Sequence, residues 1–162
     1  FTLQVLIMIQ RMKKQLLWAI SQNTATELVY RRVDATLPLL GMLSYDKKEA
    51  KSIAKTEVSV AKNYLNEDEI KLLGLLVEQY LAFAETMAQQ KTPMYMKDWS
   101  VRLDSILQLN GRELLTHAGK ISHQMALDKS SGEFEKFKEK QKAIEIEQSL
   151  KEIEADIKKL KK

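Results

Sequence analysis

Residues 66–87 constrain the fold of this chain more than any other stretch. Asn66-Glu67-Asp68-Glu69 supplies an N-cap, a capping-box glutamate and a set of acids facing the positive end of a helix dipole. Behind this start Ile70, Leu73, Val77, Tyr80, Ala84 and Met87 recur at helical spacing, while Leu72, Leu76, Leu81 and Phe83 widen the stripe past one face. So broad a stripe predicts the central helix of a bundle. Gly74 inside it costs about 1 kcal/mol relative to alanine, which predicts a neighbouring backbone packed close against it.

The rest of the chain accommodates such a bundle. Gly 5 and Pro 2 among 162 residues leave few breakers, and they fall between apolar periods rather than within most of them. Leu3, Leu6, Ile7, Leu17 and Ile20 share one face of a first helix that runs to about Ser21. Asn23 or Thr24 caps a second, short helix through Arg32, with Glu27 near its positive end. Residues 34–59, punctuated by Pro38 and Gly41, form the least regular part, with a polar surface loop or frayed helix at 46–55. Pro93 ends the long helix. Another begins near Met94, buries Trp99, Leu103, Ile106 and Leu107, carries an outward Asp98–Arg102 pair, and stops at Asn110-Gly111.

From Ser122 onward the pattern is helical, interrupted only at Ser130-Ser131-Gly132. Beyond that point Phe134, Phe137, Gln141 and Ile144 follow one heptad phase. Ala143, Ile146, Leu150, Ile153, Ile157 and Leu160 follow a second, displaced by two residues, with the alternating spacing of a coiled-coil seam. The expected architecture is therefore all-α: an irregular helical bundle of about five helices whose long C-terminal helix ends in a short coiled-coil-like segment. It divides into a helical domain at 1–130 and an extended, charged C-terminal helix at 131–162.

A seam of about two and a half heptads is marginal alone, so it has to dock on its own domain, on a second copy or on another protein; a homo-oligomer or a protein partner bound through the C-terminal helix is the favoured expectation. The formal net charge of +4 comes from 26 basic and 22 acidic residues that are well mixed. The clusters Lys13-Lys14, Arg31-Arg32, Lys47-Lys48 and Lys158, Lys159, Lys161, Lys162 read as solvated helix faces rather than a nucleic-acid stripe. The apolar opening through Ile9 is about half the length of a membrane span, and its positive charges follow it. No membrane segment or signal peptide is expected. The absence of cysteine excludes a disulfide scaffold and fits a cytoplasmic protein. Because the first residue is Phe1, further sequence upstream is expected.

Chemistry-bearing residues crowd into 91–123. Asp98, Trp99, Arg112, His117, Lys120 and His123 form the candidate cluster. A histidine there could act as general base, oriented by Asp98 or Glu113, with Arg112 or Lys120 stabilising an anion. Such a site belongs to a nucleic-acid-acting enzyme, a metal- or His-dependent phosphodiesterase. Against it, His117 and His123 lie roughly 600° apart on one helix and cannot form a His-x-x-x-His metal pair. No metal site is predicted. No Gly-rich phosphate loop, nucleophile elbow or cofactor motif is present, so no cofactor is expected, and a non-enzymatic interaction module is the favoured reading.

Three separated blocks carry a family resemblance: Val60-Ala61-Lys62-Asn63-Tyr64-Leu65, then Met94-Tyr95-Met96-Lys97-Asp98-Trp99, then Leu103-Asp104 through Gly119-Lys120-Ile121-Ser122-His123. In this order, and with the segment 23–34 before them, they resemble the C-terminal half of the bacterial virulence RhuM family, over Leu16 to Lys142. Members are typically longer and begin with a smaller domain expected to bind DNA. The resemblance implies a helical C-terminal module of a virulence-associated protein, with any contact to DNA made by that other domain. It implies no catalytic mechanism.

Overall fold

The computed structural model describes residues 2–47 and 49–160. Among the described residues five α-helices appear in order: α1 (Leu3–Ser21), α2 (Ala25–Arg32), α3 (Glu67–Gln89), α4 (Met96–Leu109) and α5 (His123–Leu160). Between α2 and α3 the chain makes short 3-10 turns at Pro38–Gly41, Ala50–Ser52, Glu57–Ser59 and Ala61–Tyr64. No strand occurs among the described residues, so the protein is all-α with a long C-terminal helix. Phe1, Lys48, Lys161 and Lys162, which take part in the basic clusters and the apolar opening, lie outside the described residues.

Local chemistry sets the helix boundaries. Thr24 Oγ1 accepts from the Glu27 amide while Glu27 Oε2 accepts from the Thr24 amide at 2.9 Å, a reciprocal capping box that opens α2. Asn66 and Glu69 do the same for α3. α4 closes at Asn110 with Gly111 at φ +71°, where the Arg112 amide reaches back to the Leu107 carbonyl at 2.9 Å.

The core gathers around α2 rather than α3. Leu28 and Val29 share one cluster with Val33, Ala35, Leu40, Met42, Tyr45, Ile53, Val58, Tyr64 and Leu65 from the irregular segment, together with Ala19 and Ile20 of α1, Leu76 of α3, Leu103 and Leu107 of α4 and Phe137 of α5. The turns of 33–65 are therefore structural filling. Tyr64, fully buried, donates to the Val58 carbonyl at 2.6 Å, and burial pushes its phenol above the ordinary tyrosine value. Glu57 anchors the outer side: the Ala54 amide, Lys47 and the Tyr45 hydroxyl hold its carboxyl down at about 2. Leu39 and Leu40 both sit at positive φ, a costly backbone for leucine. It delivers Leu40 into the core with no exposed surface.

Several expectations are corrected. α3 is not central: only Glu69 and Leu76 are buried, and Leu75 and Leu81 are 57% and 60% exposed. Periodicity reports an apolar face, and here α1 and α4 cover only part of it. Gly74 meets nothing within 4 Å, so no backbone packs on it. The first half of α1 leaves Leu3, Leu6 and Ile7 exposed, and burial begins at Gln15. Asp98 does not pair with Arg102. It caps α4 by accepting from the Tyr95 amide at 2.9 Å, while Arg102 lies over the Phe83 ring at 5.6 Å. Finally, α5 runs unbroken through Ser130-Ser131-Gly132. Ser130 is buried and donates to the Leu127 carbonyl at 3.1 Å, so packing on the body holds the helix where local propensity is weak.

A partly buried ion pair ties α2 to α3. Arg32 grips Glu69 through both guanidinium Nη atoms, the Nη2 bond measuring 3.0 Å, and also donates to the Tyr64 carbonyl at 2.8 Å. Burial opposes the charge on Glu69, but Arg32 and the Asn66 amide outweigh it and keep the carboxyl below its usual value.

Candidate functional site

The polar residues of 91–123 enter the structure in separate places. Asp98 is occupied as a helix cap. Trp99 packs edge-on between Tyr80 and Phe83, at ring distances of 5.8 and 6.4 Å, and its carbonyl accepts from the Tyr80 hydroxyl at 2.9 Å. It is half-buried glue between α3 and α4. Arg112 lies in the turn after α4 with its Nε buried and without a hydrogen-bond partner among the described residues.

His117 and Lys120 do come together. They line one cleft with Trp18, Gln22, Glu27, Arg31 and Gly119. The His117 ring meets Trp18 edge-to-face at 4.9 Å, and its Nδ1 accepts from the Gly119 amide at 3.0 Å. That bond places the neutral ring's proton on Nε2. His123 lines a different cleft, with Ala25, Thr26, Val29, Ser59, Ala61, Ala126 and Leu127. Among the described residues no group of three His, Asp or Glu side chains is placed to hold a metal ion.

The segment around His117 is strapped down by residues outside the six candidates expected to form a site. Gln15, buried in α1, donates to the Leu115 carbonyl at 3.1 Å and accepts from the Leu115 amide at 2.8 Å. Thr26 donates to the Ile121 carbonyl at 2.7 Å. Glu27 accepts from the Lys120 amide at 2.8 Å, and the Thr24 and Lys120 amides hold its carboxyl below the usual range despite burial. Gly119, at φ +83°, seats directly on this pair: a Cβ there would stand 2.8 Å from the Thr24 side chain. Only glycine fits that approach. Glu27, the carboxylate in the His117 cleft, is thus committed to holding backbone amides. Its place as third residue of a capping box was readable in the sequence. No signal links Gln15 to a partner 100 residues away.

The second candidate is the far end of α5. The helix docks on the body through Ala126, Ser130 and Phe137, and its last ion pair with another element among the described residues is Lys51–Glu145 at 3.1 Å. Beyond it Ile146, Leu150, Ile153, Ile157 and Leu160 are 46–87% exposed. From Phe137 to the seam the helix turns by roughly 140–240°, so the seam faces away from the docked side. The polar contacts that remain there, Lys151–Glu147 at 2.6 Å and Lys159–Asp156 at 3.3 Å, are internal to the helix.

Among the described residues no helix is long and apolar enough to cross a membrane. No curated protein and no solved structure matches the chain at a significant level. The signature of the Virulence protein RhuM family matches residues 5–145, so the similarity takes in most of α1 as well as the expected span from Leu16, and the chain belongs to that family.

Proposed function

We propose that the chain is a helical interaction module that self-associates through the seam at the end of α5. One observation carries this reading: six residues at coiled-coil spacing, Ala143 to Leu160, are exposed on the side of α5 turned from the body. Charged residues such as Glu147, Lys151, Glu152 and Glu154 surround them on the same helix. That arrangement keeps a lone helix in solution and gives a second helix an apolar stripe to bury. The cleft at His117 supports the same reading from the other side. The residues a phosphodiesterase would draw on are divided among a helix cap, an aromatic contact and two clefts, while the carboxylate beside His117 holds the backbone.

Light scattering coupled to size-exclusion chromatography tests it on residues 1–162 and on a version ending at Glu145. The full chain associates with rising concentration, and the shortened chain is monomeric at every concentration. A monomer in both cases sinks the proposal.

A further inference from the structure

Resting on that self-association, we infer that the copies pair in parallel and in register along residues 143–160. The spacing puts Ala143, Leu150 and Ile157 at the a positions of a heptad and Ile146, Ile153 and Leu160 at d. The flanks follow from this assignment. Lys142, Ser149 and Asp156 take the g positions, and Glu147 and Glu154 take the e positions.

Charge on those flanks separates the two orientations. In a parallel pair each g position meets the e position of the following heptad in the other helix. Lys142 then faces Glu147 of the second copy, twice by symmetry, and Ser149 faces Glu154 without repulsion. In an antiparallel pair e meets e and g meets g. The overlap that buries all six core residues then sets Glu147 against Glu154, again twice, with like charges flanking an apolar seam. Lys142 is exposed, and among the described residues Glu147 pairs with Lys151 of its own helix alone, so both are available to a second chain.

The body does not obstruct parallel pairing. Phe134, Phe137, Gln141 and Ile144 lie on the docked side, and the seam residues centre on the opposite side of the same helix, on average roughly 190° round from Phe137. Two copies can therefore close along their tails with both bodies on the outer flanks, starting from Ala143, whose small side chain lets the two helices approach where they enter the seam.

The chain has no cysteine, so introduced thiols report orientation without background. Ala143→Cys in the full chain, held in a glutathione redox buffer, is expected to link most of the associated protein as a disulfide pair, since equal a positions face each other only in parallel. When Ala143→Cys and Leu160→Cys chains are mixed, each should link to itself; the mixed disulfide is the antiparallel product. As a second arm, Glu147→Lys should weaken association by about tenfold, and adding Lys142→Glu should recover most of it. Both variants lose the contact to Lys151, so recovery isolates the contact between chains.

An associating chain that yields the mixed 143–160 disulfide, or none at 143, overturns the parallel arrangement and leaves self-association standing. Failure of Lys142→Glu to recover the loss also overturns it. A parent chain that stays monomeric by light scattering overturns both readings together.

Discussion

α5 is one helix with two kinds of surroundings. From His123 to Glu145 it rests on α2 and the turns of 33–65, burying Ala126, Ser130 and Phe137. From Ile146 to Leu160 it carries isoleucines and leucines at an even stricter spacing and buries none of them. The docked half is the less regular in sequence, with Gly132 in its middle, and its hydrophobic period is mixed. The free half has the better helical pattern and no surface to meet. Hydrophobic spacing thus marks a face that needs covering, whereas burial depends on whether other elements reach that face. α3 teaches the same lesson, with a broad stripe that α1 and α4 cover only in part.

The largest expected effect tests the contrast directly. Phe137→Ala removes a ring that is 3% exposed from the centre of the docked half, and should destabilise the body by about 3–5 kcal/mol. Ile153→Ala, the same kind of truncation on the free half, should change the stability of dilute monomer by no more than about 0.5 kcal/mol while weakening association. Urea unfolding followed by the fluorescence of Trp18 and Trp99 reads the first quantity. Equal losses from both substitutions would erase the distinction between the halves.

A smaller effect reports how the docked half is held. Glu133 Oε2 accepts from the Ala35 amide at 2.8 Å, joining α5 to the segment after α2, and Lys136 sits beside it. The Ala35 amide first, then Lys136, hold the carboxyl below its ordinary value of 4.5. A carboxylate favoured in the folded state stabilises it above the unfolded value, and that stability disappears as pH falls through the folded value. Glu133→Gln should therefore cost about 1 kcal/mol at neutral pH. The gap between the two proteins should close as pH drops below 4.5. Unfolding curves at pH 7 and pH 3 check this, and a gap that widens in acid contradicts the assignment.

Much of the helical framework was legible because its signals are local. The Thr24–Glu27 and Asn66–Glu69 boxes, the stop at Asn110-Gly111 and the restart at Ser122 each depend on residues within a few positions of one another. The core of 33–65 was not legible, since Val33, Leu40, Met42, Ile53 and Val58 are buried from turns that have no period. Continuity through Gly132 was hidden for a related reason: local propensity disfavours it, but burial of Ser130 and Phe137 on either side overrides a cost of about 1 kcal/mol. At the candidate cluster the sequence showed which residue types were present and not where they point. The structure brings His117 and Lys120 into one cleft, places His123 in another, and occupies Asp98 as a cap.

The smallest effect concerns the junction between the halves. Glu145 reaches Lys51 at 3.1 Å, the last ion pair α5 makes with another element among the described residues, and both side chains are exposed. An exposed pair of this kind contributes about 0–0.5 kcal/mol and less in high salt. Glu145→Ala and Lys51→Ala should each lie near the error of the unfolding measurement, and a double-mutant cycle should give a coupling of that size that falls as salt is added. The reason is that the docked half ends where the apolar surface of Ala35, Leu37, Leu39 and Ala50 ends, one residue after Ile144. A coupling well above 1 kcal/mol would move control of the junction from shape to charge. Salt, rather than the extent of the body's apolar face, would then decide how much of α5 is free to meet a second copy.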